Sequence, residues 1–169
     1  MSAQPQTMST RASIMLAGQQ HTGINVHGAR ENGARLTLGW ATLMLTFTAA
    51  DQVHTLLDAY TDARPAAGRL PAVIDPAILS AAIGEEAYVP AIAVTYRDIP
   101  NCTTALHTSG PGGPGGWAHP RRVLHINAGV LLFRIFDQAA YTSTVGVLTN
   151  AATIADVALP PTAWEAVQP

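Results

Sequence analysis

Two segments of this chain repeat one pattern 88 residues apart. They are LMLTFTAADQVHTLL, residues 43–57, and LLFRIFDQAAYTSTV, residues 131–145. At that offset Leu36 falls on Leu124 and Leu38 on Ile126, and Leu43, Leu45 and Phe47 fall on Leu131, Phe133 and Ile135. Side chains of a strand alternate between its two faces, so each trio forms one apolar face. Just upstream, Leu36, Leu38 and Trp40 have the opposite parity, as do Leu124, Ile126 and Ala128. A change of parity requires a bulge or a tight turn, and Gly39 and Asn127 sit near it in equivalent positions. A helix follows each strand. Thr48 is the expected first N-cap, with Asp51 three residues on, and Val53, Leu56, Leu57 and Tyr60 keep helical spacing. The second helix is expected from Asp137, presenting Tyr141, Val145, Leu148 and Ala152, with Gly146 weakening it by about 1 kcal/mol. The pattern predicts an α+β fold of two pseudo-symmetric, strand-rich repeats, each closed by an amphipathic helix.

Further strands precede each unit: ASIMLAG (12–18) and GINVHGA (23–29) in the first, PAIAVTY (90–96) and TTALHTS (103–109) in the second. His27 thereby aligns with His107. The expected organisation is an arm at 1–10, repeat one at 11–64, a linker at 65–89, repeat two at 90–152 and a tail at 153–169. Asp75–Pro76 can open a short helix within the linker, as N-cap and N1. SGPGGPGGWAHP, residues 109–120, is too rich in Gly and Pro for regular structure and reads as a loop. It lacks the Lys-Ser/Thr and following helix of a phosphate-cradling P-loop.

Hydrophobic residues make up 48% of the 169 and charged residues 12%, which fits a packed body rather than a disordered chain. No apolar run approaches the roughly 20 residues of a membrane span. The first ten residues lack the basic and apolar blocks of a signal peptide, so a cytoplasmic location and no membrane partner are expected. Cys102 is the single cysteine, which rules out an internal disulfide. A zinc site would have to rely on His and carboxylates. No metal, cofactor or catalytic residue is expected. All nine basic residues are Arg, and together with abundant Ala, Gly, Pro, Thr and Val this resembles the coding bias of a GC-rich, actinobacterial genome.

Charge is unevenly placed. Residues 1–47 and 91–136 carry seven Arg against Glu31 and Asp98, while the remainder carries Arg64 and Arg69 against nine acids. Five of the six His also lie in the strand regions. A basic sheet side opposite acidic helices suits a binder of phosphate backbones. Candidate contacts are Arg35, Arg97, Arg121, Arg122 and Arg134, with Trp40 and Trp117, and also Tyr96, as aromatic surfaces for base stacking. Arg35 and Arg122 enter their strands at nearly equivalent positions and are expected to reach one continuous backbone.

The segments LTLGWATLMLTFTAADQVHTLLDAY and VLHINAGVLLFRIFDQAAYTSTVGVL carry a resemblance. A duplicated strand–strand–strand–strand–helix unit is similar to the PUR repeat of purine-rich-element-binding proteins and, more distantly, to the Whirly fold. The resemblance implies interleaved helices and curved sheets that bind single-stranded nucleic acid. The leading expectation is therefore a non-catalytic accessory or regulatory protein that binds single-stranded or duplex nucleic acid. The alternative is a protein–protein interaction or homodimerisation module using an apolar outer sheet face, Thr42, Met44 and Thr46 with Val130, Leu132 and Arg134. A third reading is a small His-dependent enzyme, with Asp98, Cys102 and His107 as a triad or His119 and His125 as ligands.

Overall fold

A computed structural model describes residues 11–40, 42–75, 77, 91–109 and 121–160. In chain order the elements are β1 (Ala12–Leu16), β2 (Gly23–His27), β3 (Arg35–Trp40), β4 (Leu43–Phe47), α1 (Ala50–Asp62) and α2 (Arg64–Ala67). They continue with β5 (Ile92–Thr95), β6 (Cys102–Ser109), β7 (Arg121–Ala128), β8 (Leu131–Ile135) and α3 (Gln138–Ala158). The fold is α+β, with a helix closing each group of strands, as the 88-residue pattern predicts. The arm at 1–10, most of the short helix expected from Asp75, the loop at 110–120 and the tail beyond 160 lie outside the described residues.

The eight strands form two four-stranded sheets. Sheet I has the order β1–β8–β7–β6 and sheet II the order β2–β3–β4–β5. In each, a three-stranded antiparallel meander comes from one half of the chain, β6–β7–β8 or β2–β3–β4. The fourth strand comes from the other half and lies parallel. Ala12 of β1 faces Leu131 of β8, and Ile92 of β5 faces Leu43 of β4. Each half thus lends its first strand to the other half's sheet. The helices mix the halves as well: α1 packs on α3 and reaches β6 and β7 of sheet I, while α3 reaches β3 of sheet II.

Period-two alternation gives each sheet one apolar face. Leu36, Leu38, Leu45 and Phe47 of sheet II, and Leu124, Ile126, Leu131 and Ile135 of sheet I, are fully buried in one apolar cluster with Val53, Leu56, Tyr60 and Leu148. The Phe133 ring joins the sheets, with its centroid 6.4 Å from that of Trp40 and 6.0 Å from that of Tyr60. The parity switches are hairpin turns, not bulges. β3 and β4 pair from Leu36–Phe47 to Trp40–Leu43, so the turn lies past Gly39. Its counterpart uses Gly129 at φ +61°, a left-handed conformation that glycine adopts without strain.

The two helices begin differently. Helix α1 starts at Ala50 with Ala49 as its N-cap, one residue later than the expected Thr48. Ala49 has no side-chain oxygen to offer, so the buried Gln52 supplies one. Its Oε1 accepts the N–H groups of Thr48 and Ala49 at 2.8 and 3.3 Å, and its Nε2 donates to the Tyr96 carbonyl just past β5. At the position 88 residues on, Asp137 caps α3. Its carboxylate accepts the N–H of Ala140 at 2.7 Å, of Gly18 just past β1 at 2.8 Å and of Ile74 at 2.9 Å. Either side chain ties a helix start to the strand lent by the other half. Helix α3 also runs beyond the expected end at residue 152, to Ala158, whose carbonyl accepts the Arg30 N–H from the β2–β3 turn.

Candidate functional site

None of the eight strands carries an Asp or Glu, whereas they carry Arg35, Arg121, Arg122 and Arg134 with His27, His107 and His125. Of the described acids, Asp51, Asp58 and Asp62 lie on α1 and Asp156 on α3, while Glu31, Asp75 and Asp98 lie in the connections between elements. Alternation then sorts the basic residues between faces. On β7, Leu124, Ile126 and Ala128 are buried, so Arg121, His125 and Asn127 face outward. His125 lies opposite Arg134 on β8 and Ala105 on β6. His107, two residues further along β6, therefore reaches diagonally toward His125, and the ring centroids are 4.2 Å apart. Beyond them Arg11 extends a guanidinium Nη1 to the Asn127 side-chain oxygen at 3.5 Å.

This outer face of sheet I is partly roofed. After α2 the chain crosses it at 70–74, held by the Pro71 and Ala72 carbonyls, which accept the N–H groups of Gln138 and Ala139. Ile74 packs on Val123 and Phe136 and leaves both almost wholly buried. The roof separates Arg121 from the open group of His107, His125, Arg134 and Arg11. At its margin the Arg134 guanidinium carbon lies 5.6 Å from the centre of the Phe136 ring. The Arg134 Nε is buried and has no hydrogen-bond partner among the described residues. Half-burial, then His107, then Arg134 disfavour a charge on His125 and push its pKa down from 6.5 to about 4. Near neutral pH its imidazole is therefore uncharged.

The expected contact residues do not all gather here. Arg121 and Arg134 share the outer face of sheet I. Arg122 has the inner-face parity of Leu124 and lies at the rim, where its Nη1 donates to the Arg69 carbonyl at 3.3 Å. Arg35 projects from the outer face of sheet II, opposite His27, so Arg35 and Arg122 lie on different sheets and different faces. The single track expected for them does not exist. Arg97 is exposed in the turn after β5, outside both sheets. Trp40 is 5% exposed, packed on Phe133 in the core, and cannot stack on a base. Tyr96 is equally buried and donates its hydroxyl to the Ala128 carbonyl. Trp117 lies outside the described residues.

The expected alignment of His27 with His107 is present in the register: His27 faces Arg35, and His107 faces Val123, which is 88 residues beyond Arg35. His125 and Arg11 were not among the expected contacts. The signal for His125 was its four-residue spacing from Arg121 on one strand face, which becomes a site only once β8 brings Arg134 alongside. Cys102 and His107 are five residues apart on β6 and so point to opposite faces, which takes the drawn triad apart. Burial raises the Cys102 thiol pKa, the reverse of what a nucleophile needs. Among the described residues no three His, Cys, Asp or Glu are placed to hold a metal ion, and no helix is long and apolar enough to cross a membrane.

The outer face of sheet II is a contrasting surface. Asn25, Thr37, Gly39, Thr42, Met44 and Ala93 line a shallow depression of about 360 Å³, from which Met44 stands 48% exposed. Thr42, Met44 and Thr46 belong to this face, but Leu132 and Arg134 belong to sheet I and Val130 to its β7–β8 turn. The single apolar face expected from them is divided between two sheets. Another depression, of about 310 Å³, lies where α2 meets α3, lined by Arg64, Gly68, Gln138 and Tyr141. Two of its polar groups are committed within the fold: the Gln138 amide donates to the Leu70 and Gly68 carbonyls, and the Tyr141 hydroxyl to the Tyr60 carbonyl.

Comparison with known proteins returns no match: no protein-family model, no curated protein and no solved structure matches this chain.

Proposed function

We propose that this protein is a non-catalytic nucleic-acid-binding accessory or regulatory protein, acting in the cytoplasm and holding a phosphate backbone on the outer face of sheet I. The observation that supports this most is the exclusion of Asp and Glu from all eight strands while Arg11, Arg121, Arg134, His107 and His125 share one outer face. Contacts to phosphate oxygens position a strand without reading its sequence, and guanidinium groups supply them well. The resemblance to PUR and Whirly repeats points the same way, through the duplicated strand–helix unit and its packed helices. With Trp40 and Tyr96 in the core, stacking contributes little from the described residues. Binding is then mainly electrostatic and strongly salt-dependent. Three arginine contacts to a single strand imply a weakening of about 20-fold between 50 and 200 mM salt. Fluorescence anisotropy with labelled single-stranded and duplex oligonucleotides at both salt concentrations tests this. No binding to either at 50 mM salt removes the reading.

A second reading is favoured by the outer face of sheet II. Its small, uncharged lining around the exposed Met44 suits a protein contact, with another protein or a second copy of the chain. The mass of the protein in solution, with and without Met44→Glu, tests the second-copy form of this reading.

A further inference from the structure

Within the outer face of sheet I, one cluster has the chemistry of a ligand seat. His107 and His125 meet at 4.2 Å between ring centroids, and Arg134 stands directly across from His125 on β8. The groups facing this cluster come from every strand of the sheet. They are Thr103 and Ala105 on β6, Asn127 on β7, Leu132 on β8, and Ser13 and Met15 on β1. The other charged groups on the face are Arg11, bonded to Asn127, and Arg121 beyond the roof. Asp75, which follows Ile74 out of the roof, has its carboxylate on the Ala77 N–H. The cluster therefore combines two imidazoles in contact with a guanidinium whose buried Nε has no partner among the described residues, and no acid lies on its strands.

We infer that His107, His125 and Arg134 form the seat of one phosphate group, and that the phosphate and a proton enter it together. This rests on the proposed nucleic-acid reading, which supplies the phosphodiester as ligand. The physical argument is linkage. A cationic neighbour and a second imidazole oppose protonation of His125 in the empty seat, where its pKa is near 4. A phosphodiester between the rings and the guanidinium reverses the sign of that field. It accepts N–H groups from both sides, and the second N–H on an imidazole exists only when the ring is protonated. If the bound anion restores His125 to its ordinary range near 6.5, linkage makes binding about tenfold tighter at pH 5.5 than at pH 7.5.

The test uses the full chain and labelled oligothymidylate, whose bases and phosphodiesters do not titrate in this range. Affinity is measured at pH 7.5 and 5.5 at constant ionic strength, for the wild type and for His107→Gln, His125→Gln and His27→Gln. The inference expects about tenfold tightening on acidification in the wild type and in His27→Gln, whose substituted ring lies on the other sheet. It expects less than twofold in His125→Gln and a reduced response in His107→Gln. Binding that is salt-dependent but equal at the two pH values overturns the proton-linked seat and leaves the nucleic-acid reading standing. Tightening that survives in His125→Gln also overturns it, because general charging of the protein is then the cause. A parallel arm follows the ring resonances of His125 during addition of sodium sulfate. A sulfate-induced rise in the His125 titration midpoint, without oligothymidylate binding at either pH, supports the seat and removes the nucleic acid. No response to either anion removes both.

Discussion

The two halves of the chain share one framework and differ in what they place on it. Position for position, 88 residues apart, Leu45 and Phe133 are both in the core, and so are Tyr60 and Leu148. The helix starts do not match: Ala49 relies on Gln52, whereas Asp137 gathers three N–H groups by itself. The outer faces differ more. Sheet II shows Thr, Gly and Met along its middle, with Arg35 and His27 confined to one end, whereas sheet I brings two His and an Arg together. Residues that determine the framework follow the repeat, and residues that address solvent do not. The lesson is that internal symmetry locates the core, while a functional surface is found where the symmetry is broken.

The largest effect should come from the helix starts. Asp137→Ala leaves three N–H groups without an acceptor, two of them buried, and should cost about 2–6 kcal/mol at roughly 1–3 kcal/mol for each buried unsatisfied group. Gln52→Ala should cost less, because its bonds are not charge-assisted. Urea denaturation of both variants checks this, and equal losses would mean that the two helix starts are energetically alike.

The outer faces should differ in binding. Arg134→Ala should weaken oligonucleotide binding about tenfold, as loss of one charged contact worth roughly 1.5 kcal/mol. Met44→Ala, on the other sheet, should change it less than about twofold. Anisotropy titrations in which the Met44 variant suffers as much as the Arg134 variant would assign the ligand to the wrong sheet.

Stability should respond to pH through His125. The His125 imidazole titrates near 6.5 in the unfolded chain and near 4 in the fold, so between those values the unfolded chain holds more protons. Its contribution to stability is complete above pH 6.5 and is lost as pH falls toward 4. The difference in melting temperature between wild type and His125→Gln should therefore shift across that window in favour of the variant. A constant difference for His125→Gln would show that its environment does not resist charge.

The smallest effect is expected at Tyr60, where the other half has Leu148. The Tyr60 hydroxyl is buried without a hydrogen-bond partner among the described residues, and burial holds its pKa well above the ordinary value. Tyr60→Phe removes an unsatisfied group and keeps the ring, so stability should stay within about 0.5 kcal/mol or rise slightly. A loss of several kcal/mol would reveal a role for the hydroxyl.

The sequence carried the framework because period two and period 3.6 are local signals, and doubling made them more secure. It even placed Trp40 correctly, since Leu36, Leu38 and Trp40 share one parity. Choosing Trp40 as a stacking residue put residue type ahead of that period. The lending of β1 and β5 was not legible locally, because a parallel edge partner leaves no turn or spacing behind. The seat on sheet I depended on that register too: His125 faces Arg134, and β1 brings Arg11 to Asn127. Charge segregation was visible from residue counts. Which basic residues share a face was not, and Arg35 and Arg122 were separated by it.

The lent strands also set an order for synthesis. Sheet II has all its strands once residue 95 has left the ribosome, whereas β1, made before them, has no neighbour until β8 is complete at residue 135. Forty residues of further translation separate the two events, a delay of seconds at typical rates of roughly 5–20 residues per second. Through that interval β1 is an open strand seeking a partner, and the β8 of another chain carries the same template. Slow translation or crowded polysomes should therefore favour a product in which two chains trade first strands, held together by the same register that closes the monomer.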